Sequence, residues 1–390
     1  MAADNQQRVY IVGYNDQAGK GKEDLGTDNL VVIRLNPDGS LDSSLGAQGI
    51  VILNSIDKKL KWVRSGGCDI FPCDDSFFIV GTANELSEKT SIYELVVLKM
   101  DPNGNPDTSF GQGGYFVLDN SYPDIANSIY VYNSRVYVSG EIYPKPSSSD
   151  ALVLSLDYSG NLIDSVKFGK ADKNDKGSSI FVDLQNRIYM SGFSGGELLV
   201  SRFIDSGSSL DFDNSFDGDG IATFDGLAGS VGREEATRIM TDNSNQIYVC
   251  GYCEKSKGVE NMIVLRLRQD GSIDTSFAQE GVFVPFGYQA GNINGRATGL
   301  AINSNGEIFV AGNAVPLKSQ EQFVVLFKLN SQGQLDNSFG NNGYLILDSI
   351  AGAKDEDIVN HMIIDRFGRM FITGASMGYS GLDLFVVRIE

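Results

Sequence analysis

Histidine, tryptophan, cysteine and positive charge are all scarce in this sequence. Its 390 residues include one His, one Trp and four Cys, and 31 basic residues stand against 50 acidic ones. One histidine excludes metal centres that need two or more imidazole ligands. Four cysteines in this length do not make a disulfide scaffold. The net charge of −19 argues against a nucleic-acid-binding protein, because phosphate backbones are bound by clustered Lys and Arg.

Long apolar runs are missing as well. No run of 18 or more apolar residues occurs, so the sequence predicts no span across a membrane. The opening Met-Ala-Ala-Asp-Asn-Gln-Gln has neither the basic nor the apolar region of a signal peptide. Apolar residues still make up 42% of the chain, which is enough for a large core and excludes global disorder.

Glycine, in contrast, is abundant, and it belongs to an internal repeat. A short β-rich phrase that ends in Gly recurs at intervals of about 60 residues. Its seven copies end at Gly13, Gly81, Gly140, Gly192, Gly251, Gly312 and Gly374. A period of this length, rich in β-branched and aromatic residues, predicts the blades of a β-propeller.

Each repeat contains four predicted strands, which we call a, b, c and d. Strand b ends in the recurring Gly, and strand c is a near-continuous apolar run such as Leu95–Met100, as expected for a strand buried on both faces. A Gly-containing turn and an Asp-x-Ser-Phe phrase then lead to strand d. We therefore predict an all-β, seven-bladed propeller in a single domain, 1–390, whose first and last blades are incomplete, three-stranded sheets. The approximate blades are 1–54, 55–120, 121–170, 171–226, 227–286, 287–349 and 350–390.

The phrase before strand d carries a family resemblance. PDTSFGQGG at Pro106–Gly114 and LDNSFGNNG at Leu335–Gly343 resemble the bacterial delta-60 repeat family. The resemblance covers essentially the whole chain; it implies a β-propeller and says almost nothing about function. The third repeat departs from the pattern, because Asp164-Ser165-Val166 lacks Ser-Phe-Gly, and we expect a shortened strand d there.

A basic residue near the end of strand c recurs together with the Asp of that phrase. The basic residues are Arg34, Lys99, Arg202, Arg266, Lys328 and Arg388, with Ser155 as the exception. Because the pair occurs in nearly every blade, we interpret it as a structural ion pair that locks one hairpin. The alternative is a ring of charged ligand contacts.

Two groups of carboxylates are candidate cation sites. Aligned acids precede strand a at Asp124, Asp175, Glu234 and Asp357. They predict an acidic rim that could hold Ca²⁺ or attract a basic partner; the alternative is a set of loop carboxylates that accept backbone N–H groups. Alternate oxygen ligands resembling a calcium loop occur at Asp213, Ser215, Asp217 and Asp219. The acid that would close an EF-hand is missing, since Phe224 stands at that position.

Variable loops on a rigid scaffold are the usual place for binding, and b-to-c and d-to-a loops should share one face. The loop residues of types that anchor partners are Trp62, Tyr122, Arg233, Tyr288 and Arg296. The single histidine, His361, aligns with small and polar residues on strand a, which places it near the propeller channel. A catalytic role for His361 would need a nucleophile and an orienting group that the sequence does not locate.

These observations favour a non-catalytic binding or scaffold module that recognises a protein or glycan through the loop face. One alternative is a Ca-dependent, lactonase-like propeller hydrolase, and another is a structural spacer within a longer surface protein. Secretion or display at a bacterial surface is favoured over the cytoplasm. Calcium is the one candidate cofactor, nucleic acid is not an expected partner, and the sequence does not set an oligomeric state.

Overall fold

The computed structural model describes residues 1–15, 29–56, 60–62, 68–86, 91–118, 122–145, 147–285, 293–318, 321–352, 356–378 and 381–389. These residues form seven antiparallel sheets in chain order, one per repeat, and the predicted all-β, seven-bladed propeller class is confirmed. Within the described ranges, no helix is long and apolar enough to cross a membrane.

The strands follow one another along the described residues. They are β1 (Ala2–Ala3), β2 (Val9–Asn15), β3 (Asn29–Leu35), β4 (Ile50–Leu53), β5 (Leu60–Trp62), β6 (Asp69–Pro72), β7 (Phe77–Leu86), β8 (Ser91–Met100), β9 (Tyr115–Val117), β10 (Asp124–Tyr132), β11 (Arg135–Lys145), β12 (Ser148–Asp157), β13 (Leu162–Phe168), β14 (Asp175–Val182), β15 (Arg187–Ser194), β16 (Glu197–Asp205), β17 (Leu210–Phe212), β18 (Ile221–Phe224), β19 (Glu234–Thr241), β20 (Ile247–Ser256), β21 (Val259–Leu267), β22 (Val282–Phe283), β23 (Ile293–Ile302), β24 (Ile308–Pro316), β25 (Phe323–Leu329), β26 (Tyr344–Leu347), β27 (Asp357–Ile364), β28 (Met370–Gly378) and β29 (Gly381–Ile389). A short 3₁₀ turn covers Leu227–Gly229.

The first compact unit comprises Met1–Val182 and Asp205–Asp211. It holds the sheets β1-β2-β3-β4, β5-β7-β8-β9 with β6 also on β7, and β10-β11-β12-β13. Strand β14 packs on the third of these. The apolar runs of strands b and c form the core between neighbouring sheets, where Val80, Val97, Val138 and Leu154 are completely buried.

The second unit comprises Asp183–Ile204 and Phe212–Glu390. It holds β15, β16 and β18, then β19-β20-β21-β22, β23-β24-β25-β26 and β27-β28-β29. Its core repeats the arrangement of the first unit, with Val264, Val310 and Phe327 among the buried side chains.

Two details of the predicted blades are wrong. The first sheet has four strands rather than three, because Ala2–Ala3 pairs with Val9–Tyr10. The third blade was expected to have a shortened strand d, but β13 is seven residues long and pairs from Leu156 to Ala151. Without the Ser-Phe-Gly turn, the chain continues from the Asp157–Asn161 turn into β13, which pairs with β12 with one register shift at Ser155/Leu156. The last sheet, as far as its described residues go, has the expected three strands.

The recurring Gly of strand b has a steric cause. A β-bulge in strand a, for example between Ala236 and Arg238, brings a backbone carbonyl of strand a against the Gly. A Cβ on Gly251 would lie closer than 3.0 Å to the Glu235 carbonyl oxygen. The equivalent overlap occurs at Gly140, Gly312 and Gly374. A residue with a side chain is therefore excluded where strands a and b approach each other most closely.

Candidate functional site

The recurring basic residue and the Asp form the predicted ion pair. In the fourth blade, Arg202 Nε lies 2.7 Å from Asp213 Oδ2. Arg202 also donates to Ser215 Oγ at 2.6 Å, and that hydroxyl donates to Asp213 Oδ1 at 2.6 Å. Burial acts to raise the pKa of Asp213, but the hydrogen bonds from Ser215 and Arg202 outweigh it and lower the pKa. The Asp-x-Ser phrase is thus a cradle for a guanidinium group.

A basic residue and an Asp are paired in the same way in the first, second, fifth and sixth blades. The pairs are Arg34–Asp42 at 2.7 Å, Lys99–Asp107 at 2.9 Å, Arg266–Asp274 at 2.8 Å and Lys328–Asp336 at 2.9 Å. The structural interpretation is confirmed for these five blades.

Sequence reasoning missed that this pair also joins neighbouring blades. Arg202 donates to the carbonyl of Gln269 in the next blade at 2.5 Å. The Asp217 amide donates to the adjacent Asp270 carbonyl at 2.7 Å. In the third blade, where Ser155 replaces the basic residue, Arg135 of strand b donates to the Gly207 carbonyl instead. The motif therefore serves as an inter-blade latch.

The candidate calcium loop is largely occupied by this latch. Asp213 and Ser215 bind Arg202 and each other. Asp219 accepts the Ile221 amide at 2.9 Å. The pKa of Asp217 is raised, first by partial burial and then by the charges of Asp219 and Asp270. In the part of the chain that the structure describes, no three His, Cys, Asp or Glu side chains are grouped as a metal site would require.

The four acids before strand a are buried and do not form an exposed rim. Asp175 accepts the Lys170 amide at 2.9 Å and Glu234 accepts the Leu227 amide at 2.8 Å. Asp357 accepts the Ser376 hydroxyl at 2.5 Å. Asp124 is equally inaccessible. Burial raises the pKa of Glu234 to about 7. This geometry matches the alternative interpretation, in which carboxylates hold the loops, rather than a surface that attracts cations.

The two predicted loop-face arginines, Arg233 and Arg296, come together in the second unit. Arg233 lies with its guanidinium carbon 4.0 Å from the centre of the Phe193 ring and donates to Glu235 at 2.8 Å. The Tyr252 hydroxyl donates to the same carboxylate at 2.7 Å. Burial and the nearby Glu235 raise the pKa of Tyr252 well above its usual value.

Arg296 continues the same cluster from the next blade. Its guanidinium carbon lies 4.3 Å from the Tyr252 ring centre, and the group makes a two-point salt bridge to Glu260. We call Phe193, Arg233, Glu235, Tyr252, Glu260 and Arg296 the arginine–tyrosine row. The sequence analysis did not predict four members of the row, namely Phe193, Glu235, Tyr252 and Glu260. The sequence signal for them was their position in strands, next to the loop face.

Three other loop residues were predicted as partner anchors: Trp62, Tyr288 and Tyr122. Trp62 lies in β5, but its side chain is outside the described set, and Tyr288 is outside the described residues. Tyr122 precedes β10, in the first unit, and is 44% exposed.

His361 lies on the first strand of the last blade, as the alignment predicted. Its ring is half-buried, and Nδ1 is buried without a hydrogen-bond partner. Burial, followed by nearby positive charge that includes Arg238, lowers the pKa of His361 well below 6.5. Among the described hydrogen bonds, none joins the His361 ring to a nucleophilic side chain.

Comparison with known families agrees with the fold. The family described as "Domain of unknown function (DUF5122) beta-propeller" matches residues 18–45, 243–277 and 304–339. These segments include strand c or the Asp-x-Ser-Phe phrase of three repeats, and they support a β-propeller repeat family. No match is found among curated proteins.

Several solved structures are similar to this chain at low sequence identity. A Lactobacillus plantarum protein is 12% identical with a TM-score of 0.54, over 98% of this chain and 99% of its own. A Penicillium chrysogenum α-L-arabinanase is 10% identical, with a TM-score of 0.43 over 68% of this chain and 77% of its own. A Xanthomonas campestris gluconolactonase is 13% identical, with a TM-score of 0.36 over 84% of this chain and 100% of its own. The first likeness supports the fold alone.

Proposed function

We propose that this chain is a non-catalytic binding module whose loop face recognises a protein through the arginine–tyrosine row. The observation that carries the proposal is the convergence of Arg233 and Arg296, from consecutive blades, on one buried Tyr252–Glu235 pair. The delta-60 repeat assignment belongs to the same proposal and rests on the Asp-x-Ser-Phe phrases.

Both guanidinium groups are fixed yet accessible. The Arg233 side chain is 46% exposed and that of Arg296 is 53% exposed. Each stacks on an aromatic ring and is held at its edge by a carboxylate, so little side-chain entropy is left to lose when a partner binds. Arginine and tyrosine are enriched at the energetic centres of protein interfaces. A partner that offers carboxylates, carbonyl oxygens or an aromatic ring to the open guanidinium faces fits this row.

The test is a comparison of retained partners. Wild type, the double variant R233A/R296A and the control R268A are immobilised and exposed to native lysate and to surface extract, and bound proteins are quantified by mass spectrometry. Arg268 is a matched control, since its side chain is also 46% exposed and lies in the c-to-d turn at the other end of the sheet. We expect R268A to keep the wild-type partners and R233A/R296A to lose them.

Two results would contradict this choice of partner and face. Retention of the same proteins by R233A/R296A would exclude the row as the binding site. Binding of wild type to a glycan array, lost in R233A/R296A, would keep the face but replace the protein partner with a carbohydrate.

The hydrolase alternative is tested separately by calcium. A saturable heat on titration with Ca²⁺, together with a lower melting temperature in EDTA, would favour a metal-dependent enzyme. We expect neither, because Asp213 and Ser215 are held by Arg202.

A further inference from the structure

Three aligned positions on the first strands of the last three blades differ sharply in side chain: Arg238 on β19, Gly299 on β23 and His361 on β27. Each follows a β-bulge, and bulges re-aim side chains near functional sites. The bulge residues tie the strands to one another, since Thr237 donates to the Ala297 carbonyl at 2.7 Å and Thr298 to the Val359 carbonyl at 2.8 Å. The three positions are therefore held in fixed register.

Gly299 lies between the other two positions, and Met362 fills the place that a side chain there would take. A Cβ at this position would lie 2.7 Å from the Cβ of Met362, so no other residue fits without a shift of the backbone. Arg238 extends past this blade and donates to the Asn360 carbonyl at 3.3 Å. Its other terminal nitrogen donates to the Thr237 carbonyl at 3.2 Å. The guanidinium thus stands beside the residue that precedes His361.

Two buried nitrogen atoms remain unsatisfied there. Arg238 Nε and His361 Nδ1 are both inaccessible to solvent and have no hydrogen-bond partner among the described residues. Within the described part of the chain, Arg238 makes no salt bridge, although most other buried or half-buried arginines in blades of the second unit are paired, for example Arg202 and Arg266. A guanidinium keeps its charge at all ordinary pH values. Buried donor atoms without partners cost free energy that a bound acceptor would recover.

We propose that Arg238 and His361 form a binding site for a small oxyanion, a carboxylate or a phosphate. Arg238 Nε–H and His361 Nδ1–H would donate to two of its oxygens, and charge-assisted hydrogen bonds of this kind are about twice as strong as neutral ones. The neutral imidazole supplies one N–H donor, and the guanidinium supplies the charge. The site is separate from the arginine–tyrosine row and does not depend on the function proposed for that row.

The single histidine makes the site directly observable. Protein carrying ¹⁵N-labelled histidine gives one imidazole spin system, that of His361. Sodium phosphate and sodium acetate are titrated in turn at constant pH, and sodium chloride keeps the ionic strength constant. We expect a saturable change of the His361 signals with one or both oxyanions in wild type and in the control R268Q, and at least a tenfold weaker response in R238Q.

The variants separate binding from folding. The backbone amide spectrum shows whether R238Q is folded; if it is not, R238K, which keeps the charge but lacks Nε–H, takes its place and should also respond at least tenfold more weakly. Response to phosphate but not acetate identifies a phosphate site, and the reverse identifies a carboxylate site. The proposal is overturned if neither oxyanion gives a saturable change in wild type, or if the folded Arg238 variant responds as wild type does.

Discussion

At the scale of single residues, Arg202 shows how much one side chain does in this protein. Its side chain is 3% exposed and makes hydrogen bonds to Asp213, Ser215 and the Gln269 carbonyl of the next blade. Replacing Arg202 by Met leaves the Asp213 carboxylate buried without its cation. We expect R202M to lower the free energy of unfolding by about 3–5 kcal/mol, as measured by urea denaturation at neutral pH.

The matched control for R202M is R268M. Arg268 lies in an exposed turn, and its nearest carboxylate oxygen is 3.5 Å away. Surface pairs of this kind contribute about 0–1 kcal/mol, so R268M should unfold close to the wild-type midpoint. Equal midpoints for R202M and wild type would show that the latch does not stabilise the blades.

His361 gives a residue-scale prediction about pH. Its folded-state pKa lies well below 6.5, because Nδ1 of the half-buried ring is inaccessible to solvent and positive charge is close. At pH values between the folded-state pKa and 6.5, the unfolded chain binds more protons than the folded chain. The contribution of neutral His361 to the free energy of unfolding is therefore complete above pH 6.5 and is lost as the pH falls below it. In chloride buffers, we expect the imidazole NMR signal to show the neutral form well below pH 6.5, and H361N to lose less stability than wild type on acidification. If the His361 imidazole signal titrated with a midpoint at pH 6.5, the burial of its Nδ1 would be contradicted.

At the scale of strands, the recurring Gly of strand b is a position that does not accommodate a side chain. A Cβ on Gly251 would overlap the Glu235 carbonyl, and a backbone atom cannot rotate away as a side chain can. We expect G251A to lower the free energy of unfolding by about 1–3 kcal/mol, the usual range for overpacking. Thermal or urea denaturation measures this loss.

The control for G251A is a glycine with free space around it. Gly258 lies in a hairpin turn at φ +76°, and nothing approaches its Cβ position. Asn tolerates this left-handed conformation, so G258N should change stability by less than about 1 kcal/mol. A larger loss in G258N than in G251A would contradict the steric explanation.

The strands were largely predictable, because the sequence signals for them are local. The site was not predictable, because its contacts join residues from different repeats. The Gly-ended phrase and the apolar run of strand c predicted the blades, and the Arg–Asp pair follows from two residues only eight to eleven positions apart. In the third blade, Ser155 carries no charge, and Arg135 makes the contact to the next blade instead. This contact could not be predicted, because it depends on which carbonyl of the next blade lies nearby. Likewise, Arg233 and Arg296 were predicted as separate loop residues, but their meeting at Tyr252 depends on the packing of consecutive blades.

At the scale of the whole molecule, the shortage of positive charge bears on stability. A net charge of −19 makes the folded chain repel itself. Many of the basic side chains are used in the latches. Salt screens these ion pairs little, because they are buried or partly buried. They are the pairs made by Arg34, Lys99, Arg202, Arg266 and Lys328. Added salt should therefore weaken the repulsion more than it weakens the latches.

We accordingly expect the melting temperature to rise by about 2 °C or more between about 10 mM and about 150 mM NaCl, as the screening length falls from about 30 Å to about 8 Å. The difference in melting temperature between wild type and R202M should stay nearly constant over this range, because the Arg202–Asp213 pair is buried. Differential scanning calorimetry of both proteins provides the measurement. A melting temperature that falls with salt would mean that exposed pairs such as Lys145–Asp172 contribute more than the repulsion costs. A shrinking difference for R202M would mean that the latch is reached by solvent ions and is not the buried lock between blades.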